Sequence, residues 1–129
     1  MAKVLDSSAV LAFLYDEPGG EKVRADLPEG ILSAVNAAEV LAVLVRKGAP
    51  LEEAELALKK TQVKVLDFSL AAAAKTAGLL SPQFRSRGLS PGDRACMATA
   101  LLLEVPAVTA ERNWAGLRVP GLQVELIRG

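Results

Sequence analysis

The sequence predicts an α/β fold built on a mostly parallel sheet. Three observations carry that expectation. Short apolar runs suited to buried strands alternate with longer stretches of helical period. Caps and breakers punctuate those stretches where an α/β chain needs them. No linker, repeat or low-complexity segment interrupts the pattern, so the 129 residues read as one domain, 1–129, long enough to bury a core.

The first strand is "KVLD", 3–6, an apolar run ending in an acid. "SSAVLAFLYDE" then turns helical, with Ser7 or Ser8 as cap and Pro18-Gly19-Gly20 as its stop. A short helical piece, 21–26, is broken by Pro28 and Gly30, and "ILSA", 31–34, is the second strand. "NAAEVLAVLVRKG", 36–48, is a helix with Asn36 as cap, a basic last turn and Gly48 at its end. Helix 51–60 starts acidic and ends basic, "VKVLDF", 63–68, alternates like a strand, and 69–80 returns to helix. After the loop 81–88, Ser90 caps a helix that has Pro91 at its first position and runs to about Glu104. "PAVTA", 106–110, and "LQVELI", 122–127, complete the strands, with a turn or short helix around Trp114 between them.

Composition narrows the chemistry. Apolar residues make up 51% and charged ones 23%, the balance of an ordinary globular chain. Aromatics are 4%, so the core rests on Leu, Val and Ala. Fifteen basic and fifteen acidic residues cancel, so nucleic-acid binding requires a local basic patch. The lone Cys96 excludes an intrachain disulfide and reads as a buried, inert thiol, compatible with a reducing cytosol. The chain has no histidine, which removes Ser–His and Cys–His catalysis and His-ligated zinc. Asp6 interrupts the apolar N-terminal stretch, which does not read as a signal peptide, and no run approaches the roughly 18 apolar residues of a membrane span. A cytoplasmic protein is expected.

Four acids fall at element ends. Asp6 closes the first strand, Glu39 and Asp93 lie in first turns of helices, and Glu111 follows the "AVTA" strand. In open α/β sheets, ligand sites collect beyond the carboxyl ends of the strands, so one sheet edge can gather all four. Each also has a purely structural reading. Glu39 stands three residues after Asn36, and Asp93 three after Ser90, as in capping boxes. Asp6 can cap the next helix, and Glu111 can be a surface acid. Ser7 and Ser8 read as helix caps, with orienting Asp6 as their alternative. Taken together, clustered carboxylates repel unless a cation offsets them, and oxygen ligands without Cys or His select Mg²⁺ or Mn²⁺. Such an ion supplies the nucleophile for phosphodiester hydrolysis without histidine.

These residues lie in four motifs: "VLDSSAVLA" at 4–12, "SAVNAAEVLAVL" at 33–44, "LSPGDRACMATA" at 89–100 and "AVTAERNW" at 107–114. With them the whole chain resembles the PIN-domain ribonucleases, specifically the VapC-type toxins of VapBC toxin–antitoxin pairs. The Gly-Asp-Arg of the third motif is the most specific part. The fourth departs from the family, which usually carries Asp where this chain has Glu111, one methylene longer; Thr109 and Trp114 keep the pattern. The resemblance implies a three-layer α/β/α fold with a parallel five-stranded sheet of order 3-2-1-4-5. It implies a catalytic and metal-binding pocket of Asp6, Glu39, Asp93 and Glu111 that holds Mg²⁺ or Mn²⁺ and cuts RNA internally with a metal-activated water. It further implies a VapB-type antitoxin partner and a homodimer. Arg94, Arg112 and, in the preceding loop, Arg85 and Arg87 are the candidate RNA-binding residues, with exposed solubilising charge as their bland alternative.

Two other readings compete, a weakened PIN-like module and another acidic-pocket α/β protein, either a phosphatase or a receiver domain. Glu111 motivates a catalytically weakened PIN-like module that binds RNA or protein. An aspartyl-phosphate phosphatase would want a second Asp where Ser8 stands. A receiver domain could offer Asp67 but lacks the acidic pair near its N-terminus. Both rank below the nuclease.

Overall fold

The structure is a computed structural model that describes residues 1–80 and 88–129. Five parallel strands form one sheet in the order β3-β2-β1-β4-β5: β1 Lys3–Leu5, β2 Gly30–Ser33, β3 Lys64–Leu66, β4 Ala107–Thr109 and β5 Val124–Leu126. The expected order and strand direction are therefore present. Apart from β2, which keeps its four residues shifted by one, the strands are shorter than their expected runs, most clearly at the edges. There a ladder exists on one side only, so β3 extends only as far as its pairing with Ile31, Leu32 and Ser33.

Helices cover both faces, which is why the central strands are apolar on both sides. Residues alternate between the two layers, as the pleat requires. Leu5, Leu32 and Val108 face α1 (Ser7–Leu14), α2 (Gly20–Val23), α3 (Ala34–Arg46) and α4 (Leu51–Lys60), packing with Val10, Val23, Val40 and Leu58. Val4 and Ala107 face α5 (Leu70–Gly78) and α6 (Pro91–Leu103), packing with Leu79, Cys96, Met97 and the buried Trp114. Among the described residues, no helix is long and apolar enough to cross a membrane.

Two caps differ from expectation. The N-cap of α1 is Asp6 by position, yet its side chain makes no capping bond, and neither Ser7 nor Ser8 caps the helix. Helix α3 begins at Ala34, not after Asn36. Ser33 ends β2 in extended conformation and its hydroxyl accepts the Asn36 N–H at 3.1 Å. With two good caps three residues apart, the earlier one wins because it starts the helix directly at the strand end. Glu39 is thus the sixth residue of α3, beyond the first turn, and its capping-box reading is withdrawn. Ser90 and Asp93 do form the expected box: Ser90 N–H donates to Asp93 Oδ2 at 2.8 Å, and Asp93 N–H to Ser90 Oγ at 3.1 Å.

Candidate active site

The sheet order creates the site. The chain builds outward from β1 through β2 to β3, then returns to add β4 on the other side of β1. The carboxyl ends of β1 and β4 therefore meet at a topological switch point, where open α/β sheets leave a crevice. Asp6 leaves β1 there, and Thr109, Ala110 and Glu111 leave β4.

Asp6 is buried to 1% exposure. Its Oδ2 accepts from Ser8 Oγ at 2.7 Å and from Thr109 Oγ1 at 3.0 Å. Both hydroxyl protons are then spent on the carboxylate, so each oxygen is left to accept. Ser8 Oγ receives the Ala110 N–H and Thr109 Oγ1 the Glu111 N–H, each at 3.0 Å. The end of β4 is latched to Asp6 through two hydroxyls, and the 3.2 Å contact between them is a consequence of that crowding. Oδ1 of Asp6 is buried without a hydrogen-bond partner among the described residues. Burial pushes the Asp6 carboxyl up to about 7; the two hydroxyls oppose that rise, and repulsion from Asp93 and Glu39 adds to it.

Glu39 and Asp93 reach the same site from α3 and α6. Glu39 Oε1 accepts from Ser7 Oγ at 2.9 Å and from Asn36 Nδ2 at 3.0 Å. Its carboxylate lies against Gly92, where an added Cβ would overlap it. Half-burial raises the Asp93 carboxyl above its ordinary range; the Ser90 bonds oppose this and Glu39 reinforces it. The Trp114 indole also favours the charged form of Asp93, although its nitrogen has no partner at hydrogen-bond geometry among the described residues. Behind them, desolvation and then the three acids drive the Cys96 thiol well above its ordinary range, so it is the inert thiol expected.

Repulsion thus acts among Asp6, Glu39 and Asp93. Glu111 is exposed at the end of β4, held by its backbone N–H rather than through its carboxylate. Arg94 follows Asp93 and is half-buried, its Nε without a partner among the described residues, while Arg112 is exposed. Arg85 and Arg87 lie outside the described residues. Sequence reasoning missed Asn36 as a site residue. Its only signal was its place three residues before Glu39 and three after Ser33.

A hard divalent cation suits this donor chemistry: oxygen atoms only, mutually repelling carboxylates, and a buried Asp6 oxygen without a partner among the described residues. As the side chains stand, no three acids among the described residues enclose a single point.

The family model of the PIN domain matches residues 3–119. The chain belongs to the PIN domain family. Several solved structures share the fold of this PIN domain. VapBC2 from Rickettsia felis, bound to a DNA fragment from its promoter, aligns with TM-score 0.73 and 19% identity over 98% of each chain. VapBC-1 from nontypeable Haemophilus influenzae aligns with TM-score 0.72 and 19% identity, also over 98% of each chain. A toxin–antitoxin complex from Klebsiella pneumoniae aligns with TM-score 0.71 and 18% identity, over 93% of this chain and 94% of that one. At these identities the likeness is one of fold. A search of curated proteins returned no match.

Proposed function

We propose that this PIN domain is a divalent-metal-dependent endoribonuclease and the VapC-type toxin of a type II toxin–antitoxin pair. The observation that carries the reading is the buried Asp6 oxygen without a hydrogen-bond partner among the described residues, at the switch point that Glu39 and Asp93 approach from α3 and α6. Asp6, Glu39 and Asp93 would hold Mg²⁺ or Mn²⁺, with Glu111 as a peripheral fourth acid. When bound, the cation offsets the carboxylates, stabilises charge on the scissile phosphate and acidifies water for attack.

The chain's own residues prepare that chemistry. Ser8 and Thr109 fix Asp6 through Oδ2 and leave Oδ1 to the site. The Ser90 cap fixes where α6 begins and so where Asp93 stands. Arg94 and Arg112 offer the cationic contacts to the RNA backbone that a neutral protein needs locally, and Arg85 and Arg87, outside the described residues, extend that proposal. A VapB-type antitoxin as partner is supported by the VapBC complexes among the structural neighbours. A homodimer working in the cytoplasm completes the reading.

Purified protein incubated with total cellular RNA and Mn²⁺ tests it. Cleavage that stops with EDTA and in Asp6→Asn and Asp93→Asn is the expected result. Intact RNA with folded, metal-replete protein overturns the enzymatic claim, and retained RNA binding beside it would favour the non-catalytic module.

A further inference from the structure

Asn36 is fully buried, and both ends of its amide are committed. Oδ1 accepts from Ser33 Oγ at 2.6 Å. Nδ2 donates to Glu39 Oε1 at 3.0 Å and across to the Gly92 carbonyl of α6 at 3.1 Å. This orientation is forced by the partners. The Gly92 carbonyl and the Glu39 carboxylate only accept, whereas Ser33 Oγ, already accepting the Asn36 N–H, has its proton left to give. One planar NH₂ group therefore fixes a carboxylate on α3 relative to the residue just before Asp93. Gly92 permits the approach, since a Cβ there would overlap the Glu39 carboxylate.

We propose that Asn36 is a positioning residue: its amide, working against the Cβ-free Gly92, sets the spacing of Glu39 and Asp93 for a divalent cation. The proposal rests on the metal-dependent reading of this site. It explains why a helix with a serine cap also buries an asparagine at its third position. An amide is needed because Glu39 and Gly92 both require donors. Aspartate has the same shape but presents acceptors to both. Alanine at 92 is the complementary perturbation: it favours helix over glycine, yet its Cβ would displace the Glu39 carboxylate.

Isothermal titration of the folded protein with MnCl₂ tests this directly. Asn36→Ala, Asn36→Asp and Gly92→Ala are compared with wild type and with Leu44→Ala, a core truncation in the same helix and outside the site. The expected result is at least a roughly tenfold loss of Mn²⁺ affinity in all three site variants, the effect usual for partners that orient metal ligands. Leu44→Ala should melt earlier yet bind Mn²⁺ as wild type does. Wild-type affinity in Gly92→Ala, or in either folded Asn36 variant, overturns the proposal while the nuclease reading stands. A wild-type protein that binds no Mn²⁺ overturns both.

Discussion

Replacing Asp6 with asparagine should stabilise the cation-free protein while removing its activity. Carrying the Asp6 carboxyl from 3.8 to about 7 corresponds to about 4 kcal/mol against the charged folded state. Between those values the folded chain retains a proton that the unfolded chain has released. Stability therefore falls as pH rises through that window, and the full penalty is present above about 7. In Asp6→Asn the amide oxygen can accept from Ser8 and Thr109 as Oδ2 does. The amide nitrogen then takes the buried place of Oδ1, where an unpaired donor costs about 1–3 kcal/mol. A net gain of about 1–3 kcal/mol at about pH 8 follows, a rise in Tm of roughly 3–10 °C for a domain of this size. Circular dichroism melts in EDTA at about pH 5 and about pH 8 measure it, with the variant gaining over wild type as pH rises. A variant less stable than wild type at the higher pH, or a difference independent of pH, refutes the reasoning. Added Mn²⁺ should reverse the order by stabilising wild type alone.

Other expectations follow from individual contacts. Thr109→Val removes a donor to Asp6 and the acceptor of the Glu111 N–H, and should cost about 1–3 kcal/mol in denaturant titrations; it should also move the pH-dependent loss of stability upward, since the hydroxyl opposes the rise at Asp6. Ser90→Ala breaks the capping box of α6 and should cost about 1 kcal/mol, read as a Tm a few degrees lower. Glu111→Gln should retain RNA cleavage within roughly tenfold of wild type, whereas Asp93→Asn should lose at least a thousandfold; equal losses in a gel-based assay would promote Glu111 to the coupled set.

How much of this was legible in the sequence depended on the range of the interaction. Asp93 and its cap were readable because Ser-Pro-Gly-Asp carries a local box whose partners stand three residues apart. Periodicity separated strands from helices, but the order 3-2-1-4-5 came through the resemblance, since no local pattern states which strand lies beside β1. The latch on Asp6 was hidden for the same reason: Ser8 and Thr109 meet only because β4 pairs with β1. Local reading therefore put capping first for Ser7 and Ser8 and orienting Asp6 second; Ser8 does bond Asp6, whereas Ser7 bonds Glu39. Asn36 failed differently. Ser-Ala-Val-Asn offers two caps, and choosing Asn36 moved Glu39 into a first turn it does not occupy. The donors that hold Glu39 became visible only once α3 and α6 were brought together.

The central claim is that three acids, in a chain without histidine, serve a metal-dependent attack of water on RNA. The chemistry of the cleaved ends tests it most directly. Attack by water leaves no trace of the neighbouring 2′-hydroxyl, so sequencing and end-labelling of products formed with Mn²⁺ should find 3′-hydroxyl and 5′-phosphate termini. Products ending in 2′,3′-cyclic phosphate, formed equally well in EDTA, would mean that the ribose itself is the nucleophile and would contradict the account.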